Sequence, residues 1–312
     1  MILISAQPWD QYFLWQIEVQ IVNFRKFDLS KQMQVLVWYP KGTNYSFWDK
    51  LIKKYPEVSF FFYEDKDVNL GLYIPQLRPQ ILAQHFDRYP ELTKEVIFYH
   101  DSDIIFNFLP NFELLTQGDI NWQSDTSGYL DYAYLRRKEI EGNIPENEAI
   151  KVLCDIGKVS IETMQSYTGK TGGAQYILKN INGDFWRDVE KQVLEIRNAF
   201  FYNVPDSINK RYFASENAGF QSWCADMWAV NMALWSRGRT TNTTSELDFS
   251  WATDSAETYS AKPIFHNAGA TKGSDGLFYK GKWISKSPIG HKHPVNKKSA
   301  SYYYVKAIED VK

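Results

Sequence analysis

The order in which short apolar runs and helically spaced segments follow one another over the first hundred residues restricts this chain more than any other feature. Ile2 to Ala6 is an apolar run ending at Gln7-Pro8, and it reads as a buried strand with a loop at its carboxyl end. Tyr12 to Phe27 places Leu14, Ile17, Ile21 and Val22 at helical spacing, Gln34 to Tyr39 reads as a second strand, and Trp48 to Lys54 as a helix. Val58 to Tyr63 is a third strand ending at Glu64-Asp65. Pro79 to Tyr89 is a helix with Arg78 just before it, and Val96 to Tyr99 is a fourth strand running into His100-Asp101-Ser102-Asp103. Strands alternating with helices in this way predict an α/β class, a mostly parallel sheet with helices on both faces. Ligands of such sheets bind beyond the carboxyl ends of the strands. That places Ala6, Gln7, Glu64, Asp65 and Asp101 to Asp103 at candidate binding positions.

The second half is less regular. Asn182 to Phe200 contains an amphipathic helix, Gln221 to Trp235 another, and from Lys286 the chain turns basic, KSPIGHKHPVNKK. The expected partition is one Rossmann-like domain over residues 1–285, its second half irregular and acceptor-facing, and a basic tail over 286–312. A formal charge of −2 argues against a chain that coats nucleic acid or anionic membrane. Cys154 and Cys224 show no C-x-x-C spacing, so they predict buried thiols rather than a zinc knuckle. The opening Met1-Ile2-Leu3-Ile4-Ser5 lacks the basic start of a signal peptide and no apolar run reaches a membrane span, so the expected location is cytoplasmic, without a membrane partner. The 11 Trp, 20 Tyr and 20 Phe predict an aromatic-rich core; Trp122, Trp223 and Trp251 are also candidates for stacking on sugar or base rings.

Asp101 and Asp103 lie two apart, immediately after an apolar strand. Two carboxylates so close repel unless a cation or donors sit between them. Their hard oxygens suit one divalent ion, which can bridge the phosphates of a nucleoside diphosphate and neutralise a leaving group. Far downstream, Phe265-His266-Asn267-Ala268-Gly269-Ala270-Thr271-Lys272 offers an imidazole ligand at His266, a flexible backbone at Gly269 and a point charge at Lys272. Gly172-Gly173-Ala174-Gln175 permits either close approach by a ligand or a plain turn. Asp226 sits on the second helix with Asn231, and Ser124-Asp125-Thr126 lies in a polar loop after Trp122.

D-x-D after the fourth strand followed by H-x-x-G-x-x-K resembles the glycogenin-like and galactosyltransferase-like retaining transferases of the GT-A fold. Arg78-Pro79 opening the helix before Asp101-Ser102-Asp103 also looks like the plant hydroxyproline arabinosyltransferases and peptidyl-serine galactosyltransferases. The resemblance implies that Asp101, Asp103 and His266 bind Mn²⁺ or Mg²⁺, that Lys272 touches a diphosphate, and that Gly172, Gly173 and Gln175 line a sugar pocket. Asp226 is similar to the Asp of the D-Q-x-x-x-N stretch that binds donor-sugar hydroxyls; Met227 stands where those enzymes carry Gln under the anomeric carbon. Asp226 and Gln175 are therefore the catalytic candidates, and Ala6, Gln7, Glu64, Asp65, Arg78, Asp101, Ser102, Gly172, Gly173, Gly269 and Lys272 the donor-binding ones.

The activity so implied is transfer of a sugar from a UDP-sugar to an acceptor hydroxyl, with retention. The acceptor stays open between protein, glycan, small molecule and modified DNA base. A nucleotidyltransferase using the same acid pair is the rival enzyme class, although Ser5-Ala6-Gln7-Pro8 shows no glycine-rich basic loop after the first strand.

Overall fold

The computed structural model describes residues 1–64 and 73–312; Asp65, expected at the end of the third strand, lies outside the described residues. The strands are β1 (Ile2–Pro8), β2 (Met33–Tyr39), β3 (Ser59–Glu64), β4 (Ile97–His100), β5 (Ile104–Phe106), β6 (Asn121–Asp125), β7 (Gly172–Leu178), β8 (Thr241–Thr243), β9 (Phe249–Trp251) and β10 (Ile264–His266). By contacts the described chain falls into two units. One takes residues 1–64, 97–116 and 245–312, and the other takes 73–96 and 117–244.

In the first unit β1 pairs in parallel with β2 and β4, and β2 in parallel with β3, giving the order β3-β2-β1-β4. Leu3, Ile4, Val35, Leu36 and Val37 are fully buried, as a parallel sheet covered on both faces requires. The expected strands and helices of this region all form. Asp10 caps the helix Gln11–Arg25 by accepting the Tyr12 N–H. A second sheet has the order β5-β10-β9, with β10 antiparallel to β5 and parallel to β9. Residues 286–312, expected as a basic tail, carry the helix Ser301–Glu309. Its Tyr304, Val305 and Ile308 share one apolar core with Trp15, Phe265 and Phe278, so this stretch is held by burial even though Lys292, Lys297 and Lys298 are exposed.

In the second unit β6 pairs antiparallel with β7 and parallel with β8, with a register shift between Gln123 and Asp125. The helix Gly183–Phe200 is capped by Asn182 and packs against Leu77–Arg88 and Ala225–Trp235. Ala225–Trp235 is buried nearly all round (ten of its side chains, from Ala225 to Trp235, leave only Asp226 half-buried), which explains its lack of a polar face. Cys154 and Cys224 are buried free thiols, as expected.

Glu139 is fully buried in this unit, on the helix Tyr132–Glu141. Its carboxylate accepts the backbone N–H groups of Asn147 and Ala149 at 3.0 Å and of Ile150 at 3.2 Å, and pairs with Arg136. These N–H groups open the helix Glu148–Gly157, where the unpaired donors and the helix dipole both favour an anion. Replacing Glu139 by Ala strands those donors and the Arg136 charge. Glu139→Ala should therefore lose about 3 kcal/mol, read as a lowered urea midpoint with an unchanged slope.

Candidate functional site

The turn between β4 and β5 carries the acid pair, and the helix Gln11–Arg25 holds it in place. Gln16, Gln20 and Asn23 form a buried polar stripe on that helix. Gln20 Nε2 donates to the Asp101 carbonyl at 3.0 Å and reaches His100 Nδ1 at 3.3 Å. Ser102 Oγ donates to Gln16 Oε1 at 3.1 Å, while Asn23 donates to the Phe106 carbonyl and accepts the Phe106 N–H. The turn carrying both acids is thus held by three amides spaced along one helical face, Gln20 and Asn23 on main chain and Gln16 on the Ser102 hydroxyl.

His266 arrives by strand pairing. Ile104, the first residue after the acid turn, lies opposite His266 in the β5–β10 register, and the Asn267 N–H donates to the Asp103 carbonyl at 3.0 Å. His266 Nε2 stands 3.3 Å from Asp101 Oδ2 and 3.4 Å from Asp103 Oδ1. One ligand atom from each of the three residues fits within 4.8 Å of the others. Trp251 stacks along the His266 ring at 5.9 Å and Phe249 packs at 5.3 Å, fixing its plane. Two carboxylates and an imidazole form a donor set that suits Mn²⁺, Mg²⁺ or Zn²⁺. The expected ligands are therefore brought together and can hold an ion.

A fourth group completes the cluster. Lys280 Nζ lies 2.5 Å from Asp103 Oδ2. Lys280 is not among the residues expected from the motifs of the sequence. The signal available was a lysine among aromatics, Phe278-Tyr279-Lys280-Gly281-Lys282-Trp283, which marks a segment entering a core rather than a solvated basic run. Burial works to raise the Asp103 carboxyl, but the charges of Lys280 and His266 overcome it and hold the group well below the usual carboxylate range. Burial likewise works to lower His266, and is outweighed by the charge of Asp103 and hydrogen bonds to both acids, which raise it to about 9. Lys280 is raised in the same way, against burial, chiefly by Asp103. His100 points elsewhere; burial lowers it to about 4.

Other expected residues of this unit stand apart from the cluster in their bonding. Gln7 is buried and donates to the Leu36 carbonyl at 2.7 Å, which ties β1 to β2; Ala6 is buried beside it. Glu64 ends β3 exposed to solvent. Gly269 has φ +88°, a conformation only glycine adopts readily, and with Lys272 it occupies an exposed turn after His266.

In the second unit, Arg78 Nη1 lies 3.8 Å from Asp226 Oδ2, and the Tyr73 hydroxyl donates to Asp226 Oδ1 at 3.2 Å and to the Trp223 carbonyl at 2.5 Å. Burial, then the Asp226 charge, pushes the Tyr73 phenol well up, so it stays a donor. Gln175 is fully buried and accepts from Ser124 Oγ at 2.6 Å, and its Nε2 finds no partner among the described residues. Gly172 meets the β6 backbone: an added Cβ would stand 1.9 Å from the Ser124 carbonyl oxygen. Gly173 is closed in by Met227, and Ala174 takes φ +71°, strained for a residue with a side chain. Asn231 donates to the Gly172 and Met227 carbonyls and accepts from Gln123, so it is a structural clamp.

No family model matches the sequence, and no match was found among curated proteins. Among solved structures the chain is similar to the apo structure of WbbM, a bifunctional glycosyltransferase, with 12% identity and a TM-score of 0.48, over 100% of this chain and 50% of that one. The chain thus spans half the length of that protein. It is also similar to apo mouse xyloside xylosyltransferase 1, with 9% identity and a TM-score of 0.32, over 85% of this chain and 96% of that one. At these identities and scores neither likeness decides the chemistry, which rests on the residues themselves.

Gln20 offers a test of how the acid turn is held. Gln20→Leu keeps the volume and removes the donor to the Asp101 carbonyl. Because groups that orient metal ligands control affinity, Mn²⁺ binding should weaken about tenfold or more, measured by calorimetry on a variant whose circular dichroism is unchanged.

Proposed function

We propose that this chain is a metal-dependent glycosyltransferase of the GT-A type, taking a UDP-sugar as donor. The observation that supports the reading best is the convergence of Asp101, Asp103 and His266 from opposite ends of the sequence onto one point. A Mn²⁺ or Mg²⁺ ion there supplies a Lewis acid for the departing diphosphate. Asp101, the most exposed of the three ligands, faces the incoming donor, while buried Asp103 and His266 form the rigid floor. Lys280 beside Asp103 adds positive charge that favours a diphosphate leaving group, an electrostatic form of catalysis that needs no covalent step on the protein.

For the sugar we propose Asp226, Arg78 and Gln175. The Arg78 pairing orients the Asp226 carboxylate to accept from sugar hydroxyls. The Gln175 amide, bonded on its oxygen by Ser124, has its nitrogen left for a sugar oxygen. The strained Ala174 between Gly173 and Gln175 supports a functional reading of this strand end, since such backbone persists where surroundings over-determine it. Met227, packed on Gly173, brings no polar group to this strand end. Among the described residues no helix is long and apolar enough to cross a membrane.

Asp103 is buried and ion-paired, so Asp101→Asn is the cleaner probe of the site. UDP should bind with Mn²⁺ at least about tenfold more tightly than without it, and Asp101→Asn should remove most of that gain. Calorimetry measures both, and mass spectrometry with a panel of UDP-sugars and acceptors reads the transfer itself. UDP affinity indifferent to Mn²⁺ would sink the reading.

A further inference from the structure

We infer that Lys280 is a built-in counter-ion of the metal centre: its ammonium occupies Asp103 when no metal is bound and leaves that carboxylate when an ion enters. The inference rests on the reading of Asp101, Asp103 and His266 as metal ligands.

Lys280 and His266 approach opposite oxygens of Asp103, the ammonium at 2.5 Å from Oδ2 and the imidazole at 3.4 Å from Oδ1. The Lys280 ammonium therefore answers the Asp103 carboxylate, and that pair is balanced from within. An arriving divalent ion upsets that balance. His266 can accommodate it, because the neutral imidazole offers a ring-nitrogen lone pair. An ammonium has three donors and no acceptor, so Lys280 cannot ligate the ion and can only repel it across a shared carboxylate.

The surroundings let the side chain move while its backbone stays. Phe278 is buried and its N–H donates to Ser301 Oγ at 3.0 Å. On the other side the Trp283 carbonyl accepts from Trp15 Nε1 at 3.0 Å. Lys280 is thus held at both flanks on the short helical turn Lys280–Trp283, with 27% of its side chain still open to solvent. Its four-carbon stem gives the ammonium a way out that a short side chain lacks.

The consequence is a metal site that is weak by itself. Titrating Mn²⁺ alone into the full chain, wild type against Lys280→Met, tests this by calorimetry. Lys280→Met should bind Mn²⁺ at least about tenfold more tightly, whereas Lys280→Arg, which keeps a cation, should bind as wild type does. If Lys280→Met does not fold, Lys280→Gln keeps a hydrogen bond to Asp103 without the charge and gives the same comparison. Affinity equal to or weaker than wild type in the uncharged variant overturns the inference, and leaves the transferase reading intact wherever wild type still binds Mn²⁺. No Mn²⁺ binding by any of these proteins overturns the inference and the metal centre together. Tighter Mn²⁺ binding by Lys280→Met, with no UDP binding by wild type at saturating Mn²⁺, keeps the counter-ion and discards the donor.

Discussion

Asp103 is a carboxylate almost completely removed from water, and the first unit is organised around keeping it charged. Moving such an ion into a dry interior costs on the order of 20 kcal/mol in the idealised limit. Only cations and donors held beside the buried charge offset that cost. His266 and Lys280 supply the cations, and each is delivered by a different long-range constraint. The β5–β10 pairing brings His266, and the burial of Phe278 with the Trp15–Trp283 bond brings Lys280. The amide stripe of Gln16, Gln20 and Asn23 then fixes the turn from the helix side. Remove any one of the three supports and the remaining two hold a carboxylate that is less well compensated.

The second unit shows the opposite economy. Around Gly172 to Gln175 the cost is carried by backbone shape rather than by charge. Gly172 has no room for a Cβ against Ser124, Ala174 sits at positive φ, and Asn231 locks the Gly172 carbonyl. A plain turn would relax that strain by a small adjustment. Here the β6 register shift, the Met227 contact and the Asn231 clamp together forbid it, which leaves Gln175 aimed by geometry that its own rotamer preferences do not decide.

These two economies explain what the sequence made legible. The parallel strands were readable because a strand buried on both faces must be continuously apolar, and Ile2 to Ala6 or Val96 to Tyr99 can be little else. The acid turn was readable because carboxylates directly after such a strand emerge at its carboxyl end. His266 was readable as a candidate, and its meeting with the acids followed from the pairing of β10 with β5, two three-residue strands too short for any periodicity to announce. Lys280 was hidden by composition. It precedes a basic stretch that reads as a tail, and the burial of Tyr304 and Ile308 that anchors this stretch depends on contacts with Trp15 and Phe265 far away in sequence. Gln16, Gln20 and Asn23 were hidden for a related reason: an amide on a helix reads as solvent-facing until the loop it serves is known. Asn231 was noted beside Asp226 as a pair, yet it clamps strand carbonyls while Asp226 meets Arg78 and Tyr73.

That separation of Asp226 from Asn231 bears on how a sugar would be oriented. A carboxylate accepting from Tyr73 and paired with Arg78 is held on both oxygens, so it can accept from a hydroxyl only along the lone pairs that remain. Tyr73 cannot relieve it by losing its proton, because burial and the Asp226 charge keep the phenol protonated. Asp226 is therefore an oriented acceptor, with the Tyr73 hydroxyl at 3.2 Å on one oxygen and Arg78 at 3.8 Å from the other. The Gln175 nitrogen, by contrast, is a donor without a partner among the described residues. Asp226 is thus a held acceptor, and the Gln175 nitrogen a donor unspent among the described residues.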